Sequence, residues 1–166
     1  EATDQDAGIL AHLTRTDAVD HAYLLRLGAS YRPDHPGQEL YVKMDGHDIY
    51  RYAVRTVPQV VKKCLEKAGY GLGDVKKVLI HQANEKMDQA ILARLFKLCR
   101  VEEVPDGIMP MTISWLGNSS VATLPTMLDL LLRGALEGHR VGPGDVIVFA
   151  SVGAGMNINA MVYRMP

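Results

Sequence analysis

Three polar clusters stand where apolar runs end: HQAN at 81–84, LGNSS at 116–120 and SVGAG at 151–155. Their residue types suit one kind of chemistry. A neutral imidazole N–H (His81) and an amide N–H₂ (Asn118) are donors that stay uncharged in a dry pocket. The backbone of Gly153, Ala154 and Gly155 adds N–H groups that a ligand can approach closely. Such a set stabilises a thioester or carboxylate oxygen, above all one on which negative charge develops. Each residue also has an ordinary structural use. A histidine ends many strands, and Asn before Ser-Ser is a normal helix N-cap. The weight lies in their recurrence at three successive strand ends.

Ligands of α/β sheets gather outside the carboxyl ends of strands, so the elements that would position these residues matter. Residues 75–80 (VKKVLI) and 146–152 (VIVFASV) read as buried strands, and 107–113 (GIMPMTI) as an extended stretch. If these three are parallel neighbours, His81, Asn118 and the 153–155 backbone converge. Upstream, residues 8–16 and 22–30 are expected as strands, 31–39 as a loop and 40–44 as a short strand. An apolar stripe of Ala53, Val57, Val60, Val61, Cys64 and Ala68 predicts a helix over 48–68. Pro58 should kink it and Gly69 lies beyond its C-cap. Helices over 84–99 and 121–136 follow, and residues 157–165 alternate as a last strand. Strands alternating with helices argue for an α/β domain with a mixed sheet.

The helix at 121–136 is unusual: only Asp129 and Arg133 are charged, and apolar residues occupy every side. Such a helix needs covering all round, which a lone two-layer domain cannot supply. The chain is expected to lack a partner half.

The 166 residues suffice for one domain with a real core. Hydrophobic residues at 48 % and charged ones at 22 % describe a globular chain, and a net charge of −1 calls for neither nucleic acid nor an anionic membrane. No apolar run reaches the length of a membrane span, and the acidic start EATDQDAG does not read as a leader. Cys64 and Cys99 form neither a CxxC pair nor a disulfide framework, which fits a reducing, cytoplasmic setting. The six histidines show no metal-ligand spacing, so no metal and no cofactor are expected.

KMDGHDIYRYAVRTVPQVVKKCLEKAG, VLIHQANEKM, LGNSSVATLPTMLDLLLRG and GDVIVFASVGAGMNINAMVYRM together resemble the C-terminal half of β-ketoacyl-acyl carrier protein synthase III, in order over residues 40–166. The resemblance implies the C-terminal half of a thiolase-like fold. Residues 1–166 would form one domain, with a mixed five-stranded sheet covered by helices. It implies a decarboxylating condensing acyltransferase of fatty acid biosynthesis that joins an acyl-CoA primer to malonyl-acyl carrier protein through an acylated cysteine. His81 and Asn118 would be the catalytic His and Asn, holding the malonyl thioester carbonyl as the enolate forms. Ala154 would offer its N–H to the oxyanion at the acylated cysteine. Asn84, Gly153 and Gly155 would line the pantetheine site. The family usually has a third glycine and aromatic residues where this chain has Ala154, Met156 and Ile158, which bears on primer preference.

The cysteine nucleophile belongs to the family's N-terminal half. Cys64 and Cys99 do not replace it: each sits in a helical pattern as a small core hydrophobe. This chain is therefore expected to be inactive alone, and to pair with that half and with a second copy as a homodimer. Lys86, Arg94, Lys97 and Arg100 share an arc of a helix over 84–100 and suit docking of an acidic carrier protein, or serve as a solvated face. The alternatives are a non-catalytic thiolase-fold partner that binds a carrier protein, and a related condensing enzyme with other acyl substrates.

Overall fold

The computed structural model describes residues 7–166; most of the acidic start at 1–8 lies outside the described residues. The strands are β1 (Gly8–Thr16), β2 (Leu25–Gly28), β3 (Tyr41–Met44), β4 (Val75–Ile80), β5 (Val146–Gly153) and β6 (Asn157–Arg164). The helices are α1 (Ala18–His21), α2 (Gly46–Ala68), α3 (Glu85–Leu98), α4 (Ile113–Leu116) and α5 (Thr123–Leu132). Four strands form one mixed sheet in the order β1-β6-β5-β4. Only β4 and β5 run parallel; β6 is antiparallel to both of its neighbours.

The two-residue period of a strand explains how the sheet buries both faces. On β5, Val146, Val148 and Ala150 join the core under α2 and α3, with Val57, Val61, Cys64, Ile91 and Leu95. Ile147 and Phe149 point the other way and meet Met127 and Leu131 of α5. Continuous apolar sequence in β5 thus reflects two covered faces. That second face is covered only in part. Val121 is 91 % exposed, Trp115 58 % and Leu132 55 %, so the segment expected to need covering does present apolar surface.

The α/β class with a mixed sheet stands, but the sheet has four strands where five were expected. Residues 107–112 lie along the open edge of β4 and make a single backbone bond there, from Val78 N–H to the Ile108 carbonyl at 2.9 Å. Pro110 has no N–H to donate, which works against continuing a ladder. The expected strand at 22–30 shrinks to β2 because helical turns occupy 18–24. It pairs with β3 as a separate ribbon. Helix α2 runs through the buried Pro58 without interruption and ends at Gly69, left-handed at φ 77°. The expected 121–136 helix is regular only over α5; a single 3₁₀ turn, Ser120–Ala122, precedes it. No helix among the described residues is long and apolar enough to cross a membrane.

Candidate functional site

Parallel pairing of β4 with β5 puts two of the polar clusters at one end of the sheet. The ladder ends at Ile80 opposite Ala150, and His81 N–H extends it with a 2.9 Å bond to the Ala150 carbonyl. His81 therefore starts where β4 stops, beside the strand that leads into 153–155.

Gln82 then fixes the third cluster's approach. It is fully buried, accepts the Thr112 N–H at 2.9 Å and donates to the Ile80 carbonyl at 3.3 Å. Thr112 precedes α4, which leads into Gly117 and Asn118. The sequence reading passed over Gln82. Its signal is a long amide within an otherwise apolar strand end, a side chain able to bond two backbone groups at once.

Asn118 accepts the Ser120 N–H on Oδ1 at 2.9 Å, a local side-chain turn rather than the helix N-cap expected, since α5 begins after Ala122 with no side-chain cap. Its Nδ2 carries no hydrogen bond among the described residues, which leaves the donor half of the amide for a ligand. His81 meets the same turn. Burial lowers its imidazole pKa below the ordinary 6.5, and the Ser120 carbonyl, accepting from the ring, offsets part of that shift. The ring is thus neutral near pH 7. A neutral imidazole has one N–H to donate, and its other nitrogen presents a lone pair.

The third cluster is a 3₁₀ turn, Ala154–Met156, between β5 and β6. Its left-handed positions are Gly155 (φ 74°) and Met156 (φ 49°), not Ala154. Replacing the family's usual glycine by Ala154 therefore brings no backbone strain, and the exposed Ala154 keeps its N–H. Gly155 is required on two counts: its φ, and a Cβ there would lie 2.8 Å from Asn157 Nδ2.

Asn84 caps α3, with its side chain accepting the Met87 N–H at 3.2 Å. Its position is exposed, as is Lys86, the second residue of the helix. Arg94 lines a cleft of about 740 Å³ together with Arg51 and Arg55 of α2, His21 and Tyr50, with Asp20 and Asp48 also on its wall and Asp48 3.8 Å from Arg51. Lys97 and Arg100 line a different groove, with Phe96 and Val104. The basic arc is thus split between two surfaces, and the arginines that join Arg94 come from another helix. Sequence spacing within one helix cannot show such a cluster.

Both cysteines are held as neutral thiols, because burial raises the pKa of each. Cys64 Sγ is buried and shares its one proton between the Ala11 and Ala160 carbonyls. Among the described residues no three His, Cys, Asp or Glu side chains gather as a metal site.

A mixed sheet with helices on both faces and polar turns at its carboxyl end is the architecture of one half of a thiolase-like condensing enzyme. A family model for the C-terminal part of 3-oxoacyl-[acyl-carrier-protein] synthase III matches residues 65–165, and the chain belongs to that family. It is 35 % identical over 123 residues to the β-ketoacyl-[acyl-carrier-protein] synthase III of Acaryochloris marina, covering 74 % of this chain and 34 % of that protein. To the Synechococcus synthase III it is 31 % identical over 174 residues, covering 99 % of this chain and 47 % of the other. The crystal structure of the Thermus thermophilus synthase III superposes with a TM-score of 0.80 at 25 % identity, over 99 % of this chain and 48 % of that one. The chain thus spans half or less of the length of these relatives.

Proposed function

We propose that this chain is the C-terminal catalytic half of a decarboxylating condensing acyltransferase. The enzyme would extend an acyl-CoA primer with malonyl-acyl carrier protein in cytoplasmic fatty acid biosynthesis. The nucleophilic cysteine comes from the complementary half, so residues 1–166, read as one domain, do not condense substrates alone. The observation that carries this reading is His81: it ends the parallel β4–β5 pair and turns its ring to the Asn118–Ser120 turn.

The primer is held as a thioester on the partner half's cysteine. Decarboxylation of the malonyl group releases carbon dioxide and leaves an enolate. Its carbon attacks the acyl carbonyl, forming the new C–C bond and expelling the cysteine thiolate. During decarboxylation the malonyl thioester oxygen takes up negative charge. Asn118 Nδ2 meets it directly. The His81 N–H, whose ring lies by the Ser120 carbonyl, meets it as a neutral donor, which needs no second proton on a buried ring. Ala154 N–H serves the oxyanion at the acylated cysteine. Hydrogen bonds aimed at such an oxygen contribute about 3–4 kcal/mol each. Asn84, Gly153 and Gly155 border the pantetheine arm. Arg94, joined by Arg51 and Arg55, receives the acidic carrier, with Lys86 and Lys97 contributing from other parts of the α3 surface. The exposed apolar surface around Val121 and Trp115 is covered by the complementary half, and the assembled enzyme is a homodimer.

The test is an assay of this chain combined with its cysteine-bearing half. Condensation should require both halves and fall at least about a hundredfold in His81→Ala and in Asn118→Ala. Undiminished turnover in either variant refutes the assignment.

A further inference from the structure

The turn that carries Ala154 has an unusual conformation for its sequence. Met156 is not glycine, yet it is left-handed at φ 49°, a region that side chains rarely occupy unless surrounding contacts over-determine it. Its own side chain is buried at 1 % exposure, which anchors one side of the residue. Its carbonyl is held from elsewhere in the chain. Asp17 N–H donates to it at 3.2 Å, and the hydroxyl of Tyr52 lies 3.2 Å from it. The same hydroxyl is 2.9 Å from Asp17 Oδ2, so one proton is shared between the two acceptors. Arg15 Nε closes the cluster, donating to Asp17 Oδ2 at 2.9 Å. On the far side of the turn, Asn157 Nδ2 donates to the Ala154 carbonyl at 2.9 Å, and Thr16 hydrogen-bonds Asn157 Oδ1.

From this geometry we infer that Tyr52 is a positioning residue that, with Asp17, latches the 154–156 turn and so sets the direction of the Ala154 N–H. Tyr52 reaches the turn from the second turn of α2 and is 4 % exposed. Its ring stands edge-on to His21 at 5.5 Å. Burial, reinforced by the Asp17 carboxylate, raises the hydroxyl pKa to about 12. The proton the latch needs is therefore present throughout the working range of pH. Arg51 and Arg55 flank Tyr52 on the same helix and line the basic cleft together with it. The latch thus connects the cleft that holds Arg51, Arg55 and Arg94, with Asp20 and Asp48, to the oxyanion turn.

The catalytic consequence rests on the functional reading above, in taking Ala154 as a donor; the latch does not. Tyr52→Phe keeps the ring and its packing and removes only the hydroxyl. It should be made in the enzyme formed by this chain with its complementary half. Hydrogen–deuterium exchange at 154–157 should accelerate about fivefold, as expected for loss of one buried hydrogen bond. The kcat for condensation should fall roughly tenfold, while the KM for the carrier substrate stays within about twofold. Unchanged exchange at the turn overturns the latch, whatever happens to turnover. Faster exchange with unchanged kcat, or a loss expressed in KM alone, overturns the positioning role. If the enzyme with Tyr52 intact shows no condensation, the functional reading fails, and the exchange experiment alone decides the latch.

Discussion

Asp88 offers the sharpest test of the packing beneath the HQAN turn. It lies in the first turn of α3, is 0 % exposed, and neither carboxyl oxygen has a hydrogen-bond partner. Burial raises its pKa from 3.8 to about 7; the Asn84 and Ala83 amides moderate the rise without closing a hydrogen bond, and the charge of Glu85 adds to it. Because the folded pKa lies above the unfolded one, the native state keeps a proton that the unfolded chain has already lost. Stability is therefore greatest below pH 4 and declines as pH rises through about 7, above which this contribution is flat. About three units of difference, at about 1.4 kcal/mol per unit, make the decline about 4 kcal/mol. Asp88→Asn keeps the shape and removes the titration. In urea unfolding followed by circular dichroism from pH 4 to pH 8, native and variant proteins should start close together. They should then diverge, with the variant the more stable by several kcal/mol at pH 8. Parallel curves, or a variant that is the weaker of the two at pH 8, refute the burial argument.

Two further outcomes are expected. Gln82→Leu leaves the Thr112 N–H without its acceptor in a buried place, and should cost about 1–3 kcal/mol in thermal or chemical unfolding. It should also speed exchange at Thr112 more than at β5. Reversing charge in the basic cleft, Arg51→Glu with Arg94→Glu, should raise the KM for the carrier-bound substrate by roughly tenfold or more at low salt, and less at high salt. Steady-state kinetics at two ionic strengths read both effects.

Much of the site was legible because it is local. The polar turns at 81–84, 116–120 and 153–155 follow from what short polar side chains and a missing Cβ do to the nearest few backbone groups, although the Asn84 cap and the left-handed Gly155 emerge only in the fold. β5 was equally legible, since eight residues that bury two faces leave little choice but apolar types. The family resemblance rested on these same segments, in order along the chain.

Less visible was whatever depends on contacts between distant segments. Residues 107–112 have strand-like composition, yet they only border β4, because Pro110 removes a donor and Gln82 takes the Thr112 N–H instead. Arg94 was read with its helix neighbours Lys86 and Lys97, but space joins it to Arg51 and Arg55 across the α2–α3 packing. Nothing in the helical pattern singled out Tyr52; only folding carries its hydroxyl to Asp17 and Met156, 35 and 104 residues away. The sequence by itself determined which residues cap, turn and bury, because those are decided within a few residues or by periodicity. Tertiary structure alone decided which polar groups meet, because a hydrogen bond or ion cluster forms where backbones cross, and nothing in local spacing encodes the crossing.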